Sequence, residues 1–278
     1  QEYLDTLDDA AFGAATPVKP KAISPSDPAA RYTSANGDRP FFAYSTNYLV
    51  DLDHAVIVDV EATTPIRQAE VGSVRKMLER ARDRFGLHPE KLAADTAYGS
   101  AEMLGWLVKE QGIEPHIPVV DKSERRDGAF PAADFTYDGD ADEYRCPGKR
   151  ALKPYWRNIS KDRPAFGKDG FKKYYARKED CAACPLKPHC TPNQATRKIA
   201  RSRHEDARQK AREIATTDAY VASSYARKKV EMLFAHLKRI IGLDRLRLRG
   251  PNGAKDEFLM AATVQNLRKL AKMRPAPT

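Results

Sequence analysis

The sequence lacks the features that mark membrane-spanning and secreted proteins. No apolar run approaches the roughly 18 residues that a membrane-spanning helix needs, which excludes a protein that crosses the bilayer in helices. Residues 1–20 have neither a basic start nor an apolar signal core, so we expect a cytoplasmic protein without a membrane partner. Histidine is sparse, and apart from His189 the histidines are scattered without the spacing of metal ligands.

Cysteine is equally scarce, and its few positions are clustered. The four cysteines follow the spacing C-x34-C-x2-C-x5-C, with His189 as a spare ligand beside the last one. In a reducing compartment such clustering favours a metal site over disulfides. Four thiolates can close a tetrahedral zinc site, an iron–sulfur cluster is the second alternative, and free thiols are the third. The residues concerned are Cys146, Cys181, Cys184 and Cys190.

Basic residues are in excess. Lys and Arg number 48 against 38 Asp and Glu, a formal net charge of +10 over 278 residues, which fits either a polyanionic partner or a soluble basic surface. Basic and aromatic side chains are concentrated around the cysteines, a mixture that suits DNA backbone contact with some base stacking, although a solvated loop is the alternative. They are Lys149, Arg150, Lys153, Tyr155, Trp156, Arg157, Lys172, Lys173, Tyr174 and Tyr175.

Hydrophobic periodicity and turn residues predict an α/β chain with one break in its rhythm. β-branched and aromatic runs indicate strands, and apolar residues at helical spacing indicate helices. The predicted elements are a loop over 12–39, a hairpin of strands 41–50 and 55–60, a helix over 66–86 capped by Gly86, a strand over 91–95, a helix over 100–111, a strand over 114–120, an irregular segment over 121–200, and helices over 206–241, interrupted near 216–218, and over 256–273.

Asp95 stands at the end of the short apolar run that begins at Lys91. Small and turn-forming residues follow it at once. In open α/β sheets ligands bind at the carboxyl ends of strands, which makes Asp95 a candidate catalytic acid. The structural alternative is that Asp95 or Ser100 only caps the next helix.

Glu231 lies in a cationic row on the helix predicted around it. At about 100° per residue, Arg227 lies some 40° and Lys238 some 20° from Glu231, so the three side chains share one helix face. One carboxylate between two cations can serve phosphate chemistry. The alternative is a solvated face with ordinary pairing between Arg227 and Glu231, which contributes only a few tenths of a kcal/mol.

Together these two segments resemble DDE transposases of bacterial insertion sequences. The run "ADTAYGS" around Asp95 is similar to the surroundings of the second acid of that triad, and "R-x3-E-x6-K" is similar to the signature around the third. That signature usually opens with a Tyr three residues before the Arg, where this chain has Ser224, with Tyr225 next to it. The resemblance extends from about Tyr3 to Leu270 and includes the "SDPAAR" loop, the cysteine segment and the terminal "NLRKL" helix.

The resemblance, with the predicted element order, implies a ribonuclease-H-like mixed sheet flanked by helices, with a cysteine-rich irregular insert. The corresponding domains are 1–40 as a linker, 41–120 as the first part of the catalytic domain, 121–205 as the insert and 206–278 as its C-terminal helical part.

The implied activity is metal-dependent DNA cleavage and strand transfer. Asp95 and Glu231 would bind Mg²⁺ or Mn²⁺, Arg227 and Lys238 would contact DNA phosphates, and the cysteines would hold structural zinc. The implied partners are the ends of the element, target DNA and a second copy of the chain.

The first acid of the triad has no clear match. In a ribonuclease-H-like sheet it lies on the first strand, which should precede residue 40, yet residues 12–39 read as loop and residues 1–11 as helical. We therefore expect this acid upstream of Gln1, in a chain that is N-terminally truncated and catalytically incomplete. The substitutes within the chain are Asp51 and Asp53 beside the hairpin turn, and Asp59 on the second hairpin strand.

Two other functions compete with the transposase hypothesis. A non-catalytic DNA-binding remnant or zinc-dependent regulator would bind DNA without cutting it. A plain nuclease on the same fold would cut DNA without joining it. Metal-dependent nicking separates the first alternative from a transposase, and joined products separate the second.

Overall fold

The computed structural model describes residues 22–34, 39–65, 67–120, 129–156 and 164–273. The helix predicted over residues 1–11 lies outside these ranges. The chain divides into two compact units: the first combines Gln1–Ala97 with Thr217–Thr278, and the second is Tyr98–Thr216. Within the described residues, no helix has the length and apolar character to cross a bilayer.

The first unit contains the predicted β-hairpin. Strand β3 (Ser45–Asp51) pairs antiparallel with β4 (Val56–Thr63), and a bulge interrupts the ladder between Leu49 and Val50. Ahead of it, β1 (Arg31–Thr33) pairs antiparallel with β2 (Phe41–Ala43) in a separate ladder. The hairpin prediction is confirmed, but its first strand is divided into β2 and β3, and the predicted loop contains β1.

One long helix and one short strand follow the hairpin. Helix α1 (Arg67–Phe85) ends at Gly86, whose φ of +66° is the left-handed conformation that a glycine adopts at low cost, as its predicted capping role requires. Strand β5 (Lys91–Ala93) covers the start of the predicted strand. Asp95 comes directly after it, ahead of a 3₁₀ turn over Thr96–Tyr98.

The second unit begins with the helix predicted over residues 100–111. It consists of α2 (Ala101–Gly105), continued by a π-helical turn over Trp106–Gln111, and it ends at Gly112 with φ +68°. The prediction of this helix and of its stop is confirmed. Strand β6 (Glu114–His116) is shorter than the predicted strand over 114–120.

The segment that was expected to be irregular instead forms most of a five-stranded antiparallel sheet. The ladder order is β11-β10-β9-β8-β7, so each strand pairs with its sequence neighbour. The prediction of an irregular insert is therefore wrong for the described residues. The strands are β7 (Thr136–Asp138), β8 (Glu143–Arg145), β9 (Ala151–Lys153), β10 (Phe171–Ala176) and β11 (Lys198–Ser202), with a 3₁₀ turn over Ala132–Asp134 before them.

Aromatic side chains hold this sheet together. Tyr144 and Tyr174 are buried and meet edge to face with ring centroids 5.1 Å apart, and Leu152 is fully buried beside them. Such aromatic pairs add about 0.5–1.5 kcal/mol beyond their burial. The helices of the second unit are α3 (Lys178–Ala182), α4 (Lys187–Cys190) and α5 (Glu205–Ile214).

Two long helices complete the first unit. Helices α6 (Asp218–Arg239) and α7 (Gly250–Met273) pack on the hairpin, and the predicted interruption before α6 is confirmed. The side-chain amide of Asn266 on α7 accepts from the Ile57 amide at 2.9 Å and donates to the Ile57 carbonyl at 2.8 Å, which ties α7 to β4. The shared core consists of Ile57, Val60, Leu233, Leu237, Ala254, Phe258, Ala261 and Ala262.

The observed architecture is mixed α/β, as predicted. A hairpin packed on helices makes the first unit, and a meandering antiparallel sheet with short helices makes the second. The ribonuclease-H-like arrangement and the domain boundaries at residues 40, 120 and 205 stay predictions.

Candidate active site

Asp95 is exposed and has one hydrogen bond among the described residues. Its Oδ1 accepts from the amide of Ala97 at 2.8 Å, which fixes the carboxylate at the turn after β5. The cap of α2 is Ser100, whose hydroxyl accepts from the amide of Met103 at 3.3 Å. Ser100 therefore caps α2, whereas the bond from Ala97 to Asp95 is that of a cap on the 3₁₀ turn, so the capping alternative for Asp95 is compatible with the structure. No described residue donates a hydrogen bond to its second oxygen.

Glu231 is exposed near the middle of α6, and no described residue forms an ion pair with it. The expected pairing with Arg227 on the same helix does not form, although Arg227 is half-buried and Lys238 exposed. The alternative of a solvated helix face is thus supported by the exposure of Glu231 and Lys238, but the ion pair that it included does not form. Tyr225 is 64% exposed, with the Lys228 ammonium 5.0 Å from its ring centroid.

The fold of the first unit brings α6 and β5 together. Their Cα atoms approach within 8 Å, so the helix that carries Glu231 runs beside the strand that leads to Asp95. On the hairpin side, Tyr48 of β3 meets Phe234, one turn after Glu231, with ring centroids 5.3 Å apart. The two predicted acids therefore belong to neighbouring elements of one compact unit.

The hairpin carboxylates differ in their surroundings. Asp59 is engaged by Arg80 of α1, with 2.8 Å from Nε to Oδ2. Asp51 ends β3, and its Oδ2 lies 2.7 Å from Nδ1 of His54. Partial burial acts to raise the pKa of Asp51, but the hydrogen bonds from His54 and from the amide of Asp53 outweigh it and lower the pKa. Asp51 is therefore ionised at neutral pH, and Asp53 is exposed in the turn.

No three of these acids form a ligand group. Among the described residues, no cluster of three or more His, Cys, Asp or Glu is placed to hold a metal ion. The cysteines, all of them within the described part of the chain, do not form such a cluster either.

The four cysteines nevertheless lie near one another in the second unit, all as free thiols. A Cβ built on Gly148 would lie 3.7 Å from the sulfurs of both Cys146 and Cys184. The Arg150 amide donates to the Cys146 sulfur at 3.3 Å. Burial raises the pKa of the Cys190 thiol, and the other three cysteines raise it further while Arg197 lowers it.

The basic and aromatic residues around the cysteines separate into two groups. Lys172 is bound to Asp142, Lys173 pairs with Asp169 at 2.8 Å, and Tyr174 is buried, so these residues are structural. The other group lines an open cleft of about 360 Å³ in the second unit, with five basic and two acidic side chains. Its lining is Glu143, Arg145, Lys149, Arg150, Ala151, Lys153, Trp156, Arg177 and Asp180, whereas Arg157 lies outside the described residues.

Trp156 organises this cleft. Its indole N–H donates to the Tyr175 carbonyl at 2.7 Å, and the Arg177 guanidinium lies 4.3 Å from its ring centroid. Buried Glu143 pairs with Arg145 at 2.5 Å and Lys153 at 3.3 Å. The remaining cations of the cleft have no carboxylate partner among the described residues, so the cleft can accept an anion.

One comparison with known proteins gives a family match. Residues 145–271 match the family model of the transposase DDE domain. The match supports a DDE transposase and confirms the predicted resemblance. It includes Glu231, both flanking cations and the four cysteines, while Asp95 precedes it. No curated protein and no solved structure gives a significant match.

The family match indicates which chemistry the site has to explain. A transposase acts on DNA, and DDE transposases generally use a divalent metal ion such as Mg²⁺ or Mn²⁺. Sequence reasoning predicts roles for Asp95, Glu231 and the cysteines, and these roles stay predictions. It missed Arg80 as the partner of Asp59, because their pairing joins a helix to a strand and leaves no local signal.

Proposed function

We propose that this chain catalyses metal-dependent cleavage of the ends of an insertion sequence and their transfer to target DNA, with Asp95 and Glu231 as metal ligands. The observation that carries the proposal is the packing of α6, the helix of Glu231, beside β5, the strand that ends two residues before Asp95. Both carboxylates are exposed, and neither is neutralised by a cation among the described residues. They are therefore available to a bound cation.

The donor set fits the metal that the family uses. Carboxylate oxygens are the ligands that Mg²⁺ and Mn²⁺ prefer. When bound, such ions supply Lewis-acid activation of a water or 3′-hydroxyl and stabilise the leaving oxygen of a phosphodiester. The hydrogen bond from the Ala97 amide holds the Asp95 carboxylate in place, so little reorganisation is needed for its other oxygen to bind a metal ion.

The cations on α6 position the DNA in this proposal. Arg227 can grip a phosphate through two parallel hydrogen bonds, and Lys238 can add a point charge on the same helix face. Neither contact reads bases, so both would hold any DNA sequence at the carboxylates.

We propose Asp51 as the third carboxylate. From the sequence we expect this acid before Gln1, yet the hairpin offers a carboxylate that meets the same needs. Asp51 ends a strand and is ionised, and it contacts His54 and the amide of Asp53 but no Lys or Arg among the described residues. Asp59, in contrast, is held in an ion pair by Arg80, which it shares with Glu61.

We also propose that the four cysteines hold one zinc ion. The sulfurs of Cys146 and Cys184 both flank Gly148, and the Arg150 amide already donates to one of them. Elemental analysis of protein purified without chelator should find one zinc per chain, and Cys184→Ser should lose it. Absence of both zinc and iron would contradict the metal site, and iron in place of zinc would identify a cluster.

Calorimetric titration with Mn²⁺ tests the carboxylates. Asp95→Ala and Glu231→Ala should each weaken Mn²⁺ binding at least about tenfold, since each removes a ligand. Glu79→Ala is the matched control, because Glu79 is an exposed glutamate on a helix of the same unit. Unchanged binding in both Asp95→Ala and Glu231→Ala would refute the assignment.

Activity on DNA separates the transposase from its competitors. Wild-type protein should nick DNA that carries the element's ends in Mn²⁺ and then form joined products with target DNA. Nicking without joining would indicate a nuclease. DNA binding without nicking would indicate a non-catalytic remnant or regulator.

A further inference from the structure

The segment between α6 and α7, which we call the arginine loop (residues 242–250), is strongly basic. Arg245, Arg247 and Arg249 are all exposed, and none forms an ion pair with a described residue. Asp244 is the one acid in this segment of the sequence. Lys238 and Arg239 at the end of α6 extend the same positive charge.

The backbone of the arginine loop is fixed at both ends. At its start, Gly242 has φ +78°, and the amide of Leu243 donates to the Leu237 carbonyl at 3.1 Å, closing the end of α6. At its end, the amide of Gly250 donates to Oδ2 of Asp27 at 2.9 Å. Asp27 also accepts from the Tyr44 hydroxyl at 3.0 Å, so this end is tied to the "SDPAAR" loop.

The middle of the loop is fixed by Glu257 of α7. Its Oε1 accepts from the amides of Arg247 and Leu248, at 2.6 and 2.5 Å. Leu243 and Leu246 pack against the core of the first unit. Leu248 lies against Gly253, where a Cβ would come within 2.8 Å of the Leu248 Cβ.

These contacts leave the arginines free while holding their backbone. The carboxylate of Glu257 accepts hydrogen bonds from two backbone amides and forms no ion pair with the arginines of the loop. A loop that only kept the surface soluble would need no such anchoring. A rigid display of unpaired arginines lowers the ordering cost of binding an anion, and guanidinium groups match phosphate geometry.

We propose that the arginine loop binds the phosphate backbone of duplex DNA through Arg245, Arg247 and Arg249, and that Glu257 and Gly253 position it. The proposal rests on DNA as the substrate of the proposed function. The binding is independent of the metal-binding carboxylates, because no arginine of the loop contacts them.

Binding to duplex DNA of arbitrary sequence, followed by fluorescence anisotropy in EDTA, tests the arginines. The variant with Arg245, Arg247 and Arg249 all changed to Gln is compared with a control in which Arg84, Arg268 and Lys272, exposed cations of the same unit, are changed to Gln. Three lost phosphate contacts should reduce the slope of log affinity against log salt by about 2.7. Between 50 and 200 mM salt, the DNA affinity of the wild type should therefore fall by a factor that is about 40 times larger than the factor for the loop variant.

The control variant carries the same net charge and should retain nearly the wild-type slope. If the two triple variants have the same affinity and slope, the arginine loop makes no specific phosphate contact and the proposal is wrong.

Two further variants test the anchoring. Glu257→Ala and the control Glu79→Ala both make the chain more positive by one charge, so electrostatics alone predicts slightly tighter DNA binding in both. The anchored loop predicts weaker binding, by at least about tenfold, in Glu257→Ala alone. Circular dichroism would verify that the variant is folded.

Gly253→Ala changes no charge and favours the helix, while its Cβ displaces Leu248. It should weaken DNA binding, whereas Gly72→Ala, at a helical glycine with nothing within 4 Å, should not. Wild-type affinity in both Glu257→Ala and Gly253→Ala would refute the positioning role.

These results separate the loop from the catalytic proposal. Loop-dependent DNA binding by a protein that never nicks DNA would refute the proposed function and leave the arginine loop in place. If the protein nicks DNA but the loop variants bind DNA as tightly as the wild type does, the arginine loop proposal is refuted and the proposed function stands.

Discussion

Asp59→Asn should cost stability rather than metal binding. Arg80 contacts both acids of β4, with 2.8 Å from Nε to Asp59 and 2.6 Å from Nη1 to Glu61, and its Nη2 donates to the Val60 carbonyl at 3.1 Å. The side chains of Asp59 and Glu61 are only 10% and 13% exposed, so the interaction is poorly screened. Burial acts to lower the pKa of Arg80, but the hydrogen bonds that it donates to both acids outweigh this effect and raise the pKa.

The expected loss of unfolding free energy in Asp59→Asn depends on which interactions an asparagine at this position can still make. A hydrogen bond to a charged partner contributes about 1.5–3 kcal/mol, and Asn keeps an acceptor while Arg80 keeps Glu61, so we expect a loss of about 1–2 kcal/mol. Urea unfolding should show a lower midpoint at an unchanged slope. Asp53→Asn, exposed in the hairpin turn, is the control and should stay within about 0.5 kcal/mol of the wild type.

The same variants decide which hairpin acid binds metal. Asp59→Asn should bind Mn²⁺ as the wild type does, and Asp51→Asn should bind it more weakly. If Asp59→Asn abolishes Mn²⁺ binding or nicking at unchanged stability, Asp59 is a metal ligand and our reasoning from Arg80 is wrong. If Asp51→Asn binds Mn²⁺ normally, Asp51 is not the third carboxylate.

Three further predictions concern stability and DNA binding. Gly86→Ala should destabilise the protein by about 1 kcal/mol in urea unfolding, because φ is +66° and no clash contributes; wild-type stability would contradict this. Burial acts to raise the pKa of Asp142, but hydrogen bonds from Lys172 and two tyrosines lower it. The ionised Asp142 carboxylate therefore stabilises the folded protein above about pH 4, and this stabilisation is lost as the pH falls through the lowered pKa. Asp142→Asn should unfold at lower urea than the wild type at pH 7, and the gap between the two proteins should shrink below pH 4. Trp156→Ala should weaken DNA binding severalfold by releasing a cation of the cleft, whereas Tyr155→Ala should not.

The elements with strong local patterns were predictable from the sequence. The hairpin, α1 and the interruption before α6 follow from apolar periodicity and from turn residues. The stop at Gly86 follows from its freedom to adopt positive φ. These features depend on residues that are close together in the sequence, so one sequence is enough to predict them.

The five-stranded sheet was not predictable in the same way. Strands β7, β8 and β9 have three residues each, too few to show an alternating pattern. The core is largely aromatic, and residues such as Tyr144 and Tyr174 also read as surface tyrosines in a basic segment. Only pairing between strands reveals which tyrosines are buried, and pairing is a tertiary property.

The candidate site shows the same limit at the level of single side chains. Asp95 and Glu231 stand out because a strand end and a helix face are local features. Asp51 lies beside the hairpin turn and Asp59 within the second strand, so position in the sequence favours Asp59 of the two as the substitute acid. Our proposal reverses this preference because Arg80, which comes from another element, pairs with Asp59. A contact between distant parts of the sequence thus carries the proposed choice, and the paired variants of Asp51 and Asp59 test it directly.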